Sequence, residues 1–313
     1  MKPPVPFRIA VLVPCYNEEK AIGVVVADFL AALPGATIYV YDNNSRDRTA
    51  EVARAAGAVV RSERLQGKGN VVRRMFADIE ADVYVLVDGD ATYHAPSAPL
   101  MVDRLVRERL DMVVGCRVSA DKVAYRAGHR LGNALFTGAV AELFGSRFTD
   151  ILSGYRVFSR RFVKSFPAVA KGFEIETELT VHALELRMPI SEMPSPYGAR
   201  PAGSRSKLST FRDGFRILLM IAVLFKDERP LRCFSIVFCV LALTSLLLAV
   251  PIGRTYIETG LVPRFPTAIL ATGIMLLAFL SLACGFVLDT VTHGRRELKR
   301  LAYLAIPGPG VRE

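Results

Sequence analysis

Two aspartates, Asp88 and Asp90, stand one residue apart directly after the apolar run VYVLV at residues 83–87. Such a run is typical of a buried strand, so the two carboxylates are expected at the mouth of a sheet. Carboxylate oxygens are ligands that suit magnesium and manganese, and a divalent ion held there could bridge a diphosphate. On its own, an Asp-Gly-Asp triplet could equally be a solvated turn.

Three further polar segments follow strand-like runs earlier in the chain, and they strengthen the interpretation of the aspartates as part of a site. They are PCYNEE at 14–19, DNNS at 42–45 and QGKGN at 66–70. The strand-like runs lie at 7–13, 36–42, 58–62, 82–88 and 111–117, and helical patterns lie at 21–33, 46–57 and 68–80. This alternation predicts an α/β fold with a mostly parallel sheet and helices on both faces. Since ligands bind beyond the carboxyl ends of such strands, the four polar loops are predicted to form one site.

Two common phosphate-binding motifs do not fit the sequence. No Gly-x-Gly-x-x-Gly follows the first strand, which argues against a dinucleotide fold. Gly67-Lys68-Gly69 has neither the spacing nor the Ser or Thr of a P-loop, which argues against an NTPase. What remains is a nucleotide site whose phosphates are held by a metal ion.

The composition changes sharply near residue 230. An uncharged run of 21 residues lies between Arg232 and Arg254, and a second run of 24 extends from Phe265 to Leu288. A helix of roughly 20 apolar residues spans a hydrocarbon core, so both runs are predicted to be transmembrane, with a pair of buried core helices as the alternative. Lys and Arg flank the pair on its outer sides, which predicts that both ends face the cytoplasm.

Charge and cysteine content limit the partners and the compartment. The 40 Lys and Arg against 30 Asp and Glu give a net charge of +10, so anionic partners are expected. The cationic groups concentrate at the polar loops and beside the apolar runs, which argues against nucleic acid. Five scattered cysteines and no secretory signal favour a reduced, cytoplasmic location for the N-terminal part.

Six motifs taken in order resemble one family. PCYNEE, DNNSRDRT, QGKGN, DGD, SGYRVF and RPAGSRSKL are similar to motifs of family-2 glycosyltransferases with the GT-A fold, which is Rossmann-like. Within that family the sequence resembles the polyprenyl-phosphate glycosyltransferases of the dolichol-phosphate mannose synthase-like group. The resemblance implies metal-dependent transfer of a sugar from a nucleotide sugar to a polyprenyl phosphate, with inversion, at the cytoplasmic leaflet.

The resemblance also implies roles for individual residues. It assigns four residues to the nucleotide base and ribose: Pro14, Tyr16, Glu18 and Asp42. It places Lys68 against the nucleotide, and it makes Asp88 and Asp90 the DXD pair for Mg²⁺ or Mn²⁺, with Asp90 favoured as the direct ligand. It assigns five residues to the phosphates of acceptor or donor: Arg117, Arg130, Ser153, Arg200 and Lys207. Two positions depart from the family pattern, since Thr92 stands where dolichol-type members often have Gln and Cys116 stands where Ser is commoner.

Such a reaction needs several positively charged side chains, because it brings the phosphates of donor and acceptor close together. Two like unit charges 4 Å apart repel by roughly 4 kcal/mol at an effective dielectric constant near 20, and arginine offsets this repulsion. A phosphate acceptor is already anionic, so a general base is not required. Glu174, Glu176 and Glu178 are the candidates if one is used, and Glu178 occupies the acidic position of the family. For these three glutamates we favour the alternative without a base, in which two are exposed on a helix and one has a structural role.

The expected organisation is a cytoplasmic GT-A catalytic domain at 1–208, an amphipathic interface helix and linker at 209–230, and a two-helix anchor with a cytoplasmic tail at 231–313. This predicts a multi-pass protein of the plasma (inner) membrane, and a homo-oligomer is plausible. A helix that docks on the soluble domain is the alternative for 209–230. Two alternative functions are a nucleotide-sugar binding protein without turnover and a polysaccharide synthase, but the latter carries a QxxRW motif and this chain has no Trp.

Overall fold

The computed structural model describes residues 7–118, 138, 148–168, 172, 174–198, 223 and 225–309. The chain divides into two compact units, Met1–Ile217 with Lys299–Glu313, and Leu218–Leu298. The C-terminal tail, Lys299–Glu313, is thus grouped with the first unit.

Within the described residues, seven strands form a single sheet. They are β1 (Ile9–Cys15), β2 (Thr37–Asp42), β3 (Val59–Ser62), β4 (Val83–Leu86), β5 (Met112–Val118), β6 (Arg156–Ser159) and β7 (Ile190–Pro196). Their order across the sheet is β3-β2-β1-β4-β6-β5-β7. Only β6 among them runs antiparallel to its neighbours, β4 and β5. The mostly parallel α/β sheet predicted from the sequence is confirmed.

Helices connect these strands and also form the second unit. They are α1 (Ile22–Ala32), α2 (Thr49–Ala55), α3 (Lys68–Asp78), α4 (Ala98–Arg107), α5 (Arg160–Ser165), α6 (Ile175–Glu185), α7 (Pro230–Thr259) and α8 (Phe265–Leu304). Helix α1 illustrates how they attach, because its buried residues Ile22, Val25, Val26 and Phe29 recur at helical spacing and join the core cluster. Burial of each such side chain contributes about 1.5–3 kcal/mol.

Strands β6 and β7 were not predicted from the sequence. Strand β6 has only four residues and begins at Arg156, a charged side chain that is completely buried. Strand β7 contains Pro194 and Pro196, which have no N–H to donate. Proline is tolerated there because β7 lies at the edge of the sheet.

The second unit is built on α7 and α8, which pack through small residues. The buried positions of α8 within this unit recur every seven residues: Ala271, Ala278, Gly285 and Thr292. A methyl group on Gly285 would lie 2.9 Å from Cβ of Phe234, and the Ser245 hydroxyl donates to the carbonyl of Ala271 at 2.7 Å. Small side chains and hydroxyl–carbonyl bonds of this kind allow helices to approach closely in an apolar environment.

Both helices are long and apolar enough to cross a membrane. They have 30 and 40 residues, their most apolar 18-residue windows have mean hydropathies of 2.7 and 2.3, and only 6% and 17% of those windows are buried. A core helix of a soluble protein would be mostly buried, so the small buried share suggests association with a membrane. The amphipathic helix expected at 209–230 lies largely outside the described residues.

The C-terminal tail, Lys299–Glu313, forms hydrogen bonds with other residues of the first unit. The ammonium group of Lys299 donates to Glu185 Oε2 at 2.6 Å, and the hydroxyl of Tyr303 donates to Asp111 Oδ2 at 2.8 Å. The guanidinium of Arg161 lies 4.2 Å from the centroid of the Tyr303 ring and also donates to Asp111. Burial raises the pKa of Tyr303, and the hydrogen bond and negative charge of Asp111 raise it further, so the phenol remains a donor.

The substitution Lys299→Met is expected to destabilise the first unit. The Glu185 side chain is fully buried, and the change removes the cation paired with it, which costs about 3 kcal/mol. At roughly 2–4 °C per kcal/mol, thermal unfolding followed by circular dichroism should shift down by about 6–12 °C. Arg300→Met, at the neighbouring exposed position, is the matched control. An equal shift in the two variants would mean that the pair with Glu185 contributes nothing specific.

Candidate active site

Asn43 joins three of the polar loops at one edge of the sheet. This buried residue follows β2, and its backbone N–H donates to the carbonyl of Cys15 at the end of β1. Its side-chain amide donates to the carbonyls of Glu63 and Leu65 and accepts from the N–H of Gly67 at 2.7 Å. The loops after β1, β2 and β3 therefore converge as predicted. Sequence reasoning singled out Asp42 in this motif and missed Asn43, although both lie in DNNS.

The loop after β1 is fastened to the loop after β2. Asn17, which has a left-handed backbone (φ 53°), donates its N–H to Ser45 Oγ and accepts from the N–H of Arg46 at 2.8 Å. The N–H of Glu18 donates to Thr49 Oγ1 at 2.8 Å. These bonds fix the segment that carries Tyr16 and Glu18, both of which are half-buried, as is Pro14 in β1.

Asp42, the last residue of β2, presents an acceptor with no hydrogen-bond partner among the described residues. Its side chain is largely buried; Oδ2 accepts from the N–H of Ser45 at 3.2 Å, whereas Oδ1 is buried and unsatisfied. A buried acceptor without a donor is costly, and such groups in native proteins call for an explanation. An N–H or O–H of a nucleoside would satisfy Oδ1, which fits the predicted role of Asp42.

Asp90 is buried behind β4 and is held by its neighbour Thr92. The hydroxyl of Thr92 donates to Asp90 Oδ1 at 2.6 Å, and its N–H donates to the same oxygen at 3.3 Å. Thr92, which stands where dolichol-type relatives often have Gln, therefore orients the carboxylate in this protein.

Lys68, the first residue of α3, lies between two carboxylates. Its ammonium group is 2.5 Å from Asp88 Oδ1 and also contacts Glu176 Oε1. Burial by itself lowers the pKa of Lys68, but the charges of Asp88 and Glu176 outweigh burial and the net pKa is raised. The ammonium thus stays charged and is paired with two carboxylates.

The three glutamates around the start of α6 differ in their surroundings. Glu174 is exposed, Glu178 is half-buried, and Glu176 is 5% exposed. Residues two apart on a helix do not face the same way, so only one of Glu176 and Glu178 can reach Lys68. Sequence reasoning singled out Glu178 as the acidic position and expected two exposed glutamates. The structure brings Glu176 into contact with Lys68, and of the three only Glu174 is exposed.

Arg117, near the end of β5, is held by Asp150. Its Nε and Nη2 donate to the two oxygens of that carboxylate at 2.8 and 2.7 Å, and its guanidinium carbon lies 5.7 Å from the centroid of the Tyr197 ring. A bidentate pair of this kind fixes the plane of the guanidinium.

The remaining predicted phosphate contacts have different outcomes. Ser153 is completely buried, and its hydroxyl donates to the carbonyl of Gly115 at 2.6 Å, so it faces the interior of the fold. This contradicts a direct contact of Ser153 with a phosphate, because the hydroxyl is engaged and enclosed. Arg130, Arg200 and Lys207 lie outside the described residues.

Cys116, the second departure from the family pattern, is an unreactive thiol. Its Sγ lies 3.2 Å from Thr149 Oγ1, and burial raises the pKa of Cys116 to about 12. The thiol therefore stays protonated at neutral pH.

Gly154 allows the SGYR segment to lie against Asp88. A methyl group at this position would lie 2.5 Å from Asp88 Oδ2, and the N–H of Gly154 donates to the hydroxyl of Tyr93 at 2.8 Å. Only a residue without Cβ permits this approach. The glycine lies within the recognised motif SGYRVF, but its contact with Asp88 could not be read from the sequence.

The substitution Gly154→Ala is expected to weaken nucleotide binding in the presence of Mn²⁺ by about tenfold or more. The added methyl group pushes the Asp88 carboxylate out of place, and overpacking of this kind costs about 1–3 kcal/mol. Fluorescence titration with a labelled nucleoside diphosphate measures the affinity. Gly198→Ala is the control, since a methyl group there meets nothing nearer than the carbonyl of Thr92 at 3.8 Å. Equal affinities for the two variants would contradict the importance of the close approach.

The donor set suits a divalent ion that binds together with a diphosphate. No group of three or more His, Cys, Asp or Glu side chains that could hold a metal occurs in the part of the chain that the structure describes. Asp88 and Asp90 offer carboxylate oxygens, and Mg²⁺ commonly takes one or two carboxylates with substrate phosphates. The residues present fit such an ion.

A mixed α/β sheet with these loops at its rim is the arrangement of GT-A glycosyltransferases. The family model described as Glycosyl transferase family 2 matches residues 10–166, and the chain belongs to this family.

Individual relatives carry more specific names. Glycosyltransferase AglJ of Haloferax volcanii is 33% identical over 304 residues, which are 96% of this chain and 99% of AglJ. The dolichyl-phosphate hexose transferase of the same organism is 30% identical over 221 residues, covering 71% of this chain and 95% of that protein. The Mycobacterium tuberculosis glucosyl-3-phosphoglycerate synthase, solved with Mn²⁺, UDP and glucosyl-3-phosphoglycerate, has a TM-score of 0.57 at 25% identity and covers 70% of this chain and 79% of that one.

Proposed function

We propose that this protein transfers a hexose, with inversion, from a UDP- or GDP-sugar to a polyprenyl phosphate at the cytoplasmic face of the plasma membrane. The observation that carries the proposal is the site at one edge of the sheet, where Asn43 joins the loops after β1, β2 and β3 and Lys68 contacts Asp88. It occurs in a family 2 glycosyltransferase that also has two helices apolar enough to span a membrane. The name of the dolichyl-phosphate hexose transferase among its relatives supports a lipid-phosphate acceptor.

The donor occupies the edge of the sheet formed by β1, β2 and β4. The unsatisfied Oδ1 of Asp42 accepts from the nucleobase or ribose, and Pro14, Tyr16 and Glu18 line the same region. Mg²⁺ or Mn²⁺ would be held by Asp88 and Asp90, and it supplies charge neutralisation for the diphosphate leaving group.

The acceptor phosphate approaches from the side of β5. Arg117, oriented by Asp150, would pair with it, and Arg130, Arg200 and Lys207 are proposed as further cations by resemblance. Ser153 acts through the backbone of Gly115 and positions β5.

The chemistry needs alignment more than proton transfer. The acceptor oxygen is anionic at neutral pH, so the enzyme has to bring it in line with the anomeric carbon and stabilise the departing charge. Glu176 is engaged with Lys68, so Glu178 is the remaining candidate if a base is used. The positive charges beside α7 and α8 support a cytoplasmic catalytic unit and a multi-pass anchor.

Transfer of label into lipid tests the proposal. Purified full-length protein in detergent is incubated with Mg²⁺ or Mn²⁺, undecaprenyl phosphate and radiolabelled UDP- and GDP-hexoses, with EDTA as the metal control. We expect label from one donor to enter the organic phase, and we expect EDTA to prevent it. Label that moves only to 3-phosphoglycerate, supplied in a parallel reaction, would indicate a soluble acceptor. Nucleotide binding without transfer to either acceptor would favour a binding protein without turnover.

A further inference from the structure

The ammonium group of Lys68 is paired with Asp88, a carboxylate that a divalent ion would use as a ligand. It is in direct contact with Asp88 Oδ1 as a charge-assisted pair, and its side chain is only 9% exposed. Its ammonium also contacts the carboxylate of Glu176, so a positive charge is held against Asp88 by two neighbouring carboxylates. A cation that binds Asp88 through this oxygen must first move the ammonium away.

Glu176 offers Lys68 a second position. Its Oε1 already contacts the ammonium, while its Oε2 is buried and has no hydrogen-bond partner among the described residues. A buried carboxylate with an unsatisfied oxygen is costly, so a shift of the ammonium away from Asp88 and fully onto Glu176 is favoured by this vacant acceptor. The ammonium would move between two partners that it touches already, without crossing solvent.

We propose that Lys68 is an internal counter-ion for the metal site. Its ammonium group pairs with Asp88 until nucleotide and metal bind together, and it then moves to Glu176 and the diphosphate. The proposal rests on the function proposed above, and it adds Glu176 to the site as a positioning residue. It makes the binding of metal and of nucleotide cooperative. Metal alone has to displace the ammonium from Asp88, whereas a diphosphate supplies a new anionic partner for it.

Binding of Mn²⁺ to the purified full-length protein, measured by electron paramagnetic resonance of the free ion, tests this without any turnover. The measurement is made without nucleotide, with UDP and with GDP. In the wild type we expect at least one nucleotide to tighten Mn²⁺ binding by about tenfold or more, within the usual range of coupling between ligand sites. In Lys68→Met we expect Mn²⁺ to bind about tenfold more tightly without nucleotide, and we expect most of the nucleotide effect to disappear.

The variant Glu176→Gln separates a counter-ion role from general electrostatics. It keeps the size of the side chain but weakens the second position for the ammonium, so Lys68 should hold Asp88 more firmly and Mn²⁺ should bind more weakly without nucleotide. In the double variant with Lys68→Met this weakening should vanish, because there is no ammonium left to redirect. Arg74→Met, which removes an exposed positive charge from the same helix α3, is the control and should leave Mn²⁺ binding unchanged.

Two results would overturn the inference. The first is unchanged or weaker Mn²⁺ binding in folded Lys68→Met, and the second is an effect of Glu176→Gln that persists in the double variant. Either result leaves the proposed function intact if the wild type binds Mn²⁺ with a nucleotide and transfers sugar. A wild type that binds no Mn²⁺ under any of the three conditions would contradict the metal-dependent function itself. Circular dichroism spectra of each variant identify a loss of fold, and Lys68→Gln replaces Lys68→Met in the single and double variants if the methionine variant does not fold.

Discussion

The substitution Asp90→Asn is expected to lower the rate of sugar transfer by about three orders of magnitude while the protein remains folded. Asp90 is 5% exposed, and its Oδ1 accepts from the hydroxyl and the N–H of Thr92. The amide oxygen of Asn can accept the same two bonds, so the turn is kept and only the charge is lost. Loss of a charged metal ligand removes several kcal/mol of transition-state stabilisation, and about 4 kcal/mol corresponds to roughly a thousandfold in rate.

Label transfer under saturating donor and acceptor gives the rate constant, and Asp103→Asn is the matched control. Asp103 lies on the exposed face of α4 and pairs with Arg107 at 2.8 Å, so its replacement should leave the rate within a factor of two or so. A rate for Asp90→Asn within tenfold of the control would exclude a metal-binding role for this aspartate.

The second large effect is on stability, and it concerns Arg156. Its guanidinium is completely buried and donates to the carbonyls of Ser153 and Ile151 and to the hydroxyl of Thr180. Arg156→Met would leave these acceptors without their donors in the interior. A loss of about 3–5 kcal/mol is expected, which is a large share of the stability of any domain.

Arg156 also controls the site indirectly. The segment that it holds runs from Ile151 to Ser153, immediately after Asp150, the carboxylate that pairs with Arg117. Its desolvated surroundings lower the pKa of Arg156 from its usual value, although nearby acidic charges oppose this. A variant that keeps part of the stability, such as Arg156→Lys, is expected to bind the acceptor more weakly, because the segment next to Asp150 is no longer held in place.

Thermal unfolding by circular dichroism measures the effect, and Arg160→Met is the control. Arg160 is four residues away, and its pair with Glu80 is exposed on both sides, so its replacement should change stability by no more than about 0.5 kcal/mol. Similar unfolding temperatures for the two methionine variants would show that the buried network around Arg156 is dispensable.

The parts of the fold that could be predicted are those with a local signature. Strands β1, β2 and β4 are rich in Val, Ile, Leu and Tyr, because strands covered on both faces bury most of their side chains. Strand β6 has no such run, because its first residue is the charged Arg156 and its last is Ser159. Strand β7 carries two prolines, which are unusual in any strand other than an edge strand.

The amino-acid sequence by itself determined the order of the motifs, the aspartates that follow β4 and the two apolar runs near the C-terminus. Each is a local pattern of residue types, so it can be recognised without knowledge of the tertiary structure. Only the tertiary structure decided the partners of the charged groups. Lys68 and Glu176 are 108 residues apart, and they meet because β4 and β6 are neighbours and α6 follows them.

The same holds for Gly154 against Asp88 and for Asp150 against Arg117. Both contacts exist because β6 inserts antiparallel between β4 and β5, which brings the residues before β6 to the carboxyl ends of its neighbours. Periodicity along a chain reports which face of an element is buried, but it contains no information on which elements become neighbours. Glu178 was singled out by its position in the family resemblance, and the contact of Glu176 with Lys68 could not be foreseen from the sequence.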